Sequence, residues 1–213
     1  MLINITKLIA HSGLCSRREA KALVMNGDVT VNGKVICVPT TKIDSNDKVM
    51  VQDKPIKHSS EAPRLWMLYK PPGFITTTKD PQNRPTIFDI LPKNLPRLVS
   101  VGRLDINSEG LLLLTNNGDL ARYFELPKNA VTRKYHVRIF GYITQDLLNS
   151  LSKGYKLNGI KYGPIDAKIF KEGQANSWLE LTLTEGKNRE IRKILADLGL
   201  RISKFKKRRN HRN

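Results

Sequence analysis

Apolar and polar residues alternate in short blocks near the start of the chain, and the pattern predicts two helices. Leu8 and Ile9 give the first block an apolar face, and Gly13 favours a helix end just before it. Ser16 and Glu19 then have the spacing of a capping box. In that motif the Ser hydroxyl and the Glu carboxylate each accept a hydrogen bond from a free backbone amide at the helix start. The sequence therefore predicts that a second helix begins at this point.

A β-hairpin is predicted directly after the second helix. Val29–Ile36 alternates apolar and polar side chains around Asn32-Gly33, a dipeptide that fits the left-handed backbone of a two-residue hairpin turn. Residues 48–51 predict one more short strand. The polar stretch that follows lacks periodicity. We therefore interpret residues 1–57 as one small domain and residues 58–64 as a linker.

A larger α+β domain is predicted over residues 65–203. Strand and helix candidates follow one another irregularly and without internal repeats. This order favours a mixed, mainly antiparallel sheet flanked by helices over a doubly wound parallel sheet. The strand candidates are Leu65–Tyr69, Leu98–Val101, Gly110–Leu114, Lys134–Phe140 and Trp178–Thr184. The helix candidates are Asp119–Phe124, Thr144–Leu151 and Arg189–Leu198.

Charge and cysteine content narrow the class of protein. The chain has 213 residues with 37 Lys+Arg against 19 Asp+Glu, a formal net charge of +18. Such an excess predicts a polyanionic partner, with nucleic acid as the first expectation and a basic surface kept for solubility as the alternative. No apolar run approaches the roughly 18 residues of a membrane span. Cys15 and Cys37 are too few for a disulfide scaffold, so we expect a cytoplasmic protein with reduced thiols.

Asp105 is the most informative candidate for chemistry. It lies in a glycine-bounded loop between two predicted strands. On a helix, Asp105 and Glu109 would share a face and resemble the paired carboxylates of a glycosidase, but Gly102 and Gly110 favour a turn. The nearby sequence offers no group of carboxylates and histidines suited to a metal. An aspartate that merely caps the turn remains the structural alternative.

Several motifs, taken in order, resemble those of the bacterial ribosomal-RNA pseudouridine synthases. The resemblance is to the branch of small-subunit synthase A and large-subunit synthase B, which carries an N-terminal alpha-L RNA-binding domain. Residues 15–34 supply the Cys-Ser-Arg-Arg-Glu-Ala helix start and the Val-Thr-Val-Asn-Gly-Lys hairpin of that domain. The motifs of the larger unit lie at residues 69–89, 102–120, 133–137 and 185–193. The resemblance spans about residues 3–203.

The resemblance implies an isomerase that turns a uridine of ribosomal RNA into pseudouridine by breaking the N1–C1′ bond and joining C5 to C1′. It implies Asp105 as the essential carboxylate, which is ionised at neutral pH. It also implies that Tyr135 stacks on the base, that Arg192 or, as second choice, Arg189 pairs with Asp105, and that Arg103 fills the space vacated by the flipped-out nucleotide or holds the RNA backbone. Because nothing is oxidised or transferred in from outside, we expect no cofactor and no metal. We also expect a monomer without a membrane partner.

The resemblance further implies an RNA-binding surface. Basic side chains near a helix N-terminus add to the field of its free amides and favour phosphate. The residues implied to bind RNA are Arg17, Arg18, Lys21, Lys34, Lys187 and Arg189.

Two other functions stay open at this point. One is a catalytically silent RNA-binding or ribosome-assembly protein, and the other is a nucleic-acid glycosidase that cleaves the same bond. The sequence also departs from the family after Ser203, where a further apolar strand is usual. Residues 204–213 are strongly basic here and predict a disordered tail that binds phosphate nonspecifically. The absence of that apolar strand would leave a sheet edge unpaired near the site.

Overall fold

The chain folds into two units that meet in sequence at Arg64 and Leu65. The computed structural model describes residues 2–44, 46–56, 61–141 and 143–208. The first unit holds the described residues up to Arg64 together with two short segments, Pro96–Leu98 and Asn116–Gly118, and the second holds the remainder. Of the predicted linker 58–64, residues 58–60 lie outside the described residues.

The first unit contains two helices and two small antiparallel sheets. The side chain of Asn4 caps α1 by accepting hydrogen bonds from the amides of Thr6 and Lys7. Both hydrogen bonds of the capping box between Ser16 and Glu19 are present at the start of α2, as predicted. The larger sheet has the order β3-β2-β5-β6, and β1 pairs with β4. The elements are β1 Ile3–Asn4, α1 Ile5–His11, α2 Arg17–Met25, β2 Val29–Val31, β3 Lys34–Val35, β4 Lys42–Ile43, β5 Val49–Val51 and β6 Lys54–Pro55.

The hairpin turn of this unit has the geometry that its dipeptide predicts. Asn32 and Gly33 both adopt positive φ, 51° and 81°, as a type I′ turn requires. Val31 pairs with Lys34 beside the turn. Apolar side chains of both helices and the sheet form one core, with Ile5, Ile9 and Val24 fully buried.

The second unit is built on a seven-stranded mixed sheet. Its order is β13-β14-β10-β15-β9-β7. The short strand β8 also pairs with β9, opposite Leu113–Thr115. The pairing of β15 with β9 is parallel, and the other strand pairings described for this sheet are antiparallel, which confirms the predicted fold class. The elements are β7 Leu65–Lys70, β8 Val99–Val101, β9 Glu109–Thr115, α3 Gly118–Glu125, β10 Arg133–Phe140, α4 Gln145–Ser150, β11 Tyr155–Leu157, β12 Ile160–Tyr162, β13 Asp166–Lys171, β14 Asn176–Leu183, α5 Glu190–Asp197 and β15 Arg201–Lys207.

The helices α4 and α5 cover one face of the strands β10 and β14. Val137 and Ile139 of β10 are fully buried in this core, as are Leu148 of α4 and Ile194 of α5. The packing fixes α5 against the sheet, and the N-terminal end of that helix carries the arginines of the site described below.

The prediction of a basic tail from residue 204 is wrong for the residues that the structure describes. β15 runs through Lys207 and lies inside the sheet, antiparallel to β10 and parallel to β9. The strand was not predicted because its sequence is mostly Lys and Arg, with Phe205 as the one buried side chain among charged neighbours. The strand forms all the same, because its hydrogen bonds come from the backbone and need no particular side chain. The sheet therefore has no unpaired edge at this position. Residues 209–213 lie outside the described residues.

Gly110 allows β15 and β9 to approach each other. A Cβ at this position would lie 2.1 Å from the carbonyl oxygen and 2.8 Å from the amide nitrogen of Lys207. Its φ of 110° is also a conformation that residues with a side chain rarely adopt.

We expect Gly110→Ala to lower the free energy of unfolding by about 3–5 kcal/mol, since it adds backbone strain to an overpacked contact that cannot yield. Denaturant unfolding of the whole chain measures the change. Gly118→Ala is the matched control, because its φ is not positive and the nearest atom to its Cβ is 3.8 Å away. A loss of less than 1 kcal/mol for the Gly110 variant would contradict this prediction.

Candidate active site

The loop that carries Asp105 connects β8 to β9 and is held at several points. The Ser108 amide donates to the Asp105 carbonyl at 2.9 Å, which closes the turn. The Thr76 hydroxyl donates to the Leu104 carbonyl at 3.0 Å. The amide of Gly102 donates to a carboxylate oxygen of Glu125 at 2.9 Å. Asp105 therefore stands on a turn whose backbone is fixed on both sides.

Lys70 also anchors the loop that carries Asp105. Its side chain is fully buried, and its Nζ donates to the carbonyl oxygens of Ser108 at 2.8 Å, Pro71 at 3.0 Å and Ile106 at 3.4 Å. Burial lowers the pKa of the Lys70 ammonium, and the negative charge of Asp105 opposes that shift. Sequence reasoning missed this residue. The signal was a lysine at the end of an apolar strand, where a charge needs a built set of acceptors.

Two arginines of the α5 region hold the Asp105 carboxylate. Arg192 Nε lies 3.1 Å and Arg189 Nη1 lies 3.0 Å from the same oxygen, Asp105 Oδ2. Arg192 also donates through Nη2 to the Ser108 hydroxyl at 3.0 Å, so it grips the loop twice. Its side chain is 18% exposed against 51% for Arg189. We therefore assign Arg192 the larger share of the interaction, because solvent screens the exposed pair more strongly.

The turn before α5 determines where Arg189 points. Arg189 has a left-handed backbone with φ of 52° at the helix start. Glu190, which is 3% exposed, accepts a hydrogen bond from the Lys187 amide at 3.0 Å and returns one from its own amide to the Lys187 carbonyl at 3.2 Å. Burial raises the pKa of the Glu190 carboxyl. This glutamate stabilises the turn that places Arg189 against Asp105.

Tyr135 lies on β10 in the same cleft. Its ring packs against Phe205 with centroids 5.2 Å apart, and the Arg192 guanidinium lies 4.7 Å from the centre of that Phe ring. Burial raises the pKa of the Tyr135 phenol to about 12. The phenol therefore keeps its proton at neutral pH.

The cleft has a volume of about 1250 Å³, large enough for a nucleotide and its neighbours. Asp105, Tyr135 and Arg192 share its walls, so the structure brings these three predicted residues together. At the rim, Arg84 grips Asp80 through two hydrogen bonds of 3.0 and 2.7 Å. These bonds lower the pKa of Asp80 to about 2.

Other predicted residues stand apart from the carboxylate. Arg103 lines the cleft and is exposed, with no contact to Asp105. Lys187 pairs with Glu185 and donates to the Lys161 carbonyl at 2.8 Å. Arg189 is the exception, because it pairs with Asp105 beside Arg192, as its second-choice role predicted, and its contact with RNA stays a prediction.

The paired carboxylates of the glycosidase alternative are not brought together. The Glu109 carboxylate lies 3.9 Å from both Lys204 and Lys206, whereas that of Asp105 is held by arginines. Among the described residues, no group of three or more His, Cys, Asp and Glu side chains could hold a metal ion. No helix within that part of the chain is long and apolar enough to cross a membrane.

The first unit exposes the remaining predicted RNA-binding residues. Three lie on α2 and one on β3, directly after the hairpin turn, and all are exposed: Arg17, Arg18, Lys21 and Lys34.

The fold of the whole chain is that of a pseudouridylate synthase. A solved structure with that description aligns with a TM-score of 0.65 and 24% identity, over 95% of this chain and 86% of the other. The family model described as RNA pseudouridylate synthase matches residues 64–197, and one described as S4 domain matches residues 5–49. The chain belongs to the RNA pseudouridylate synthase family.

Two curated relatives illustrate the similarity. An uncharacterized RNA pseudouridine synthase of Rickettsia felis is 50% identical over 94% of this chain and 86% of its own length. The ribosomal large subunit pseudouridine synthase B of Bacillus subtilis is 35% identical over 95% of this chain and 83% of its own length. The family resemblance seen in the sequence motifs is thereby confirmed.

We expect Lys70→Met to reduce the single-turnover rate about 100-fold, because three carbonyls would lose their donor and the Asp105 loop would shift. RNA affinity should change little, since Lys70 is buried. Stopped single-turnover assays with saturating enzyme, together with filter binding, separate the two quantities. Lys93→Met removes an exposed lysine as the matched control. An unchanged rate in the Lys70 variant would contradict the anchoring role.

Proposed function

We propose that this chain converts a uridine of ribosomal RNA to pseudouridine in the cytoplasm, as a monomer without a cofactor, with Asp105 as the essential carboxylate. One observation carries the assignment: a carboxylate gripped by Arg192 and Arg189 lies in a cleft that also holds the Tyr135 ring. The ribosomal substrate is supported by the name of the Bacillus subtilis relative and by the +18 charge of the chain.

The chemistry needs only the RNA and the protein. The N1–C1′ bond breaks, the base turns within the cleft, C5 bonds to C1′, the C5 hydrogen leaves as a proton, and N1 takes up a proton in its place. Asp105 serves as a nucleophile toward the sugar or the base, or as a base toward a sugar proton. In each case the carboxylate must be aimed at the nucleotide, and the hydrogen bonds from the two arginines hold it in place.

The target nucleotide must leave its stack before it reaches Asp105. Flipping costs a few kcal/mol, and the cleft returns part of this free energy through contacts. Tyr135 provides a ring for the base, and stacking of this kind typically contributes about 1–3 kcal/mol. Arg103 is exposed at the cleft with no protein acceptor among the described residues, which suits a role in holding the displaced backbone.

The first unit provides the electrostatic contribution to binding. Arg17 and Arg18 lie at the N-terminal end of α2, Lys21 follows one turn later, and Lys34 comes directly after the hairpin turn. Free amides and basic side chains at a helix N-terminus together favour phosphate. We assign this unit to affinity and the cleft to chemistry.

We expect Asp105→Asn to abolish tritium release from 5-tritiated uridine in ribosomal RNA, with a loss of at least about 10⁴-fold in rate because the neutral amide neither adds to carbon nor accepts a proton. Glu109→Gln is the matched control and should keep most activity. No release by the wild-type chain under single-turnover conditions would overturn the enzyme assignment and favour the silent RNA-binding protein. Release of free uracil would favour the glycosidase.

We expect the double substitution Arg17→Ala and Arg18→Ala to weaken RNA binding and to flatten the plot of log affinity against log salt by about 1–2, because two phosphate contacts would be lost. Filter binding between low and moderate salt measures this slope. Lys42→Ala with Lys54→Ala removes two exposed charges of the same unit as the control. Equal slopes in the two double variants would remove the assigned role of α2.

A further inference from the structure

Lys207 is a half-buried cation in the cleft that the assignment above does not use. It lines the same cleft as Asp105, Tyr135 and Arg192, at the end of β15. Its backbone pairs with Tyr135 on one side and with Gly110 on the other. Directly opposed residues of neighbouring strands project from the same face, so the ammonium of Lys207 and the ring of Tyr135 emerge side by side.

The Lys207 ammonium has no acceptor in the protein, as far as the described residues extend. Three other cations of the cleft already have acceptors in the protein. Arg133 donates to the carbonyls of Thr184 at 2.6 Å, Phe124 at 3.0 Å and Val131 at 3.1 Å. Arg192 and Arg189 hold Asp105. A cation removed from water without a counter-charge is costly, and an acceptor that arrives with the substrate recovers that cost.

The position beside Tyr135 favours the base over the RNA backbone as the ligand. An ammonium only donates hydrogen bonds, so it matches the carbonyl oxygens of uracil and not its N3–H group. When the N1–C1′ bond breaks, its electron pair passes into the ring and is shared by N1, O2 and O4. If Asp105 instead adds to C6 of the base, the ring becomes an enolate with charge on a carbonyl oxygen. Both routes place negative charge where an ammonium would stabilise it.

We propose that Lys207 donates a hydrogen bond to a carbonyl oxygen of the target uracil and stabilises the negative charge that the ring acquires during the reaction. The inference rests on the proposed function and adds a catalytic residue to it. No further reactant is needed, because an electron pair of the ring forms the C5–C1′ bond, and the proton that C5 loses to water is balanced by one that N1 takes up from water.

The surroundings of Lys207 predict how the reaction rate depends on pH. Burial, together with the positive charge of Arg133, lowers the pKa of the Lys207 ammonium to about 8. Arg133 is the charged neighbour that acts on Lys207 most directly. The titratable and charged groups that share the cleft with it include Tyr135 and Lys134 from β10, Asp105 from the loop, Arg208 after β15, and Arg189, Glu190 and Arg192 from the α5 region. The ammonium is charged below pH 8 and loses its proton above it. A rate that depends on this cation therefore falls as the pH rises through about 8.

The main test compares Lys207→Met and Lys207→Arg with the wild type in single-turnover tritium release at saturating enzyme. We expect Lys207→Met to slow the reaction about 10²–10³-fold, as removal of one charge-stabilising donor does elsewhere, with the RNA dissociation constant unchanged. Lys207→Arg should recover at least about tenfold of the loss. Lys204→Met, an exposed lysine of the same strand, is the matched control and should retain the wild-type rate.

Two further readouts exclude a merely structural role. The fall in rate above pH 8 should disappear in Lys207→Arg, whose guanidinium stays protonated, while ionisation of the RNA itself affects both enzymes equally. RNA carrying 2-thiouridine or 4-thiouridine at the target should slow the wild type at one of the two positions, because sulfur accepts hydrogen bonds weakly. The Lys207→Met variant should show no added loss with that substrate.

Several outcomes would overturn the inference. If Lys207→Met raises the RNA dissociation constant and reduces the slope of log affinity against log salt, while the rate at saturating enzyme is unchanged, Lys207 contacts a phosphate instead. Equal thio effects in wild type and Lys207→Met, or a pH limb that persists in Lys207→Arg, would also contradict it, even if the Met variant is unstable. Tritium release by the wild type with an unaffected Lys207→Met rate would sink this inference alone, whereas no wild-type release would sink the proposed function.

Discussion

The ion pair between Asp105 and Arg192 is the interaction on which the site depends. It joins two elements that are far apart in the chain, the loop after β8 and the helix α5, and a second bond from Arg192 to Ser108 fixes the same loop. The pair is only partly exposed, so its charges are weakly screened and each needs the other. Everything else in the larger unit serves to bring these two side chains together and keep them there.

A buried lysine and the central strand β15 support this ion pair. Lys70 holds the loop backbone through the carbonyls of Ile106 and Ser108, and Gly110 allows β15 to enter the sheet between β9 and β10. The entry of β15 then brings Phe205 under the Arg192 guanidinium and against the Tyr135 ring. One strand of the sheet thus orients both the arginine and the tyrosine, and it does so with side chains that look like a disordered basic run in the sequence.

Local signals in the sequence predicted the elements that depend on local physics. The capping box at Ser16, the Asn32-Gly33 turn and the apolar strands β9 and β10 were found because each has its own short-range pattern. The strands β11 to β13 and the end of β15 were missed because charged residues interrupt their apolar positions, which leaves only short runs with no clear period. Motif resemblance supplied the choice of Asp105, Tyr135 and Arg192, which composition and periodicity alone left open.

The same distinction explains which site residues escaped prediction. A buried lysine such as Lys70 has meaning only through the carbonyls that surround it, and those come from two separate loops. Arg189 was only the second-choice partner of Asp105, because its left-handed backbone, which turns it toward that carboxylate, is not visible in the sequence. A surplus of positive charge around one carboxylate then has a physical consequence. The excess positive charge of the cleft is balanced only when a negatively charged or strongly polar ligand binds there. An RNA base gains negative charge as it reacts, so the cleft stabilises the base most strongly in the transition state.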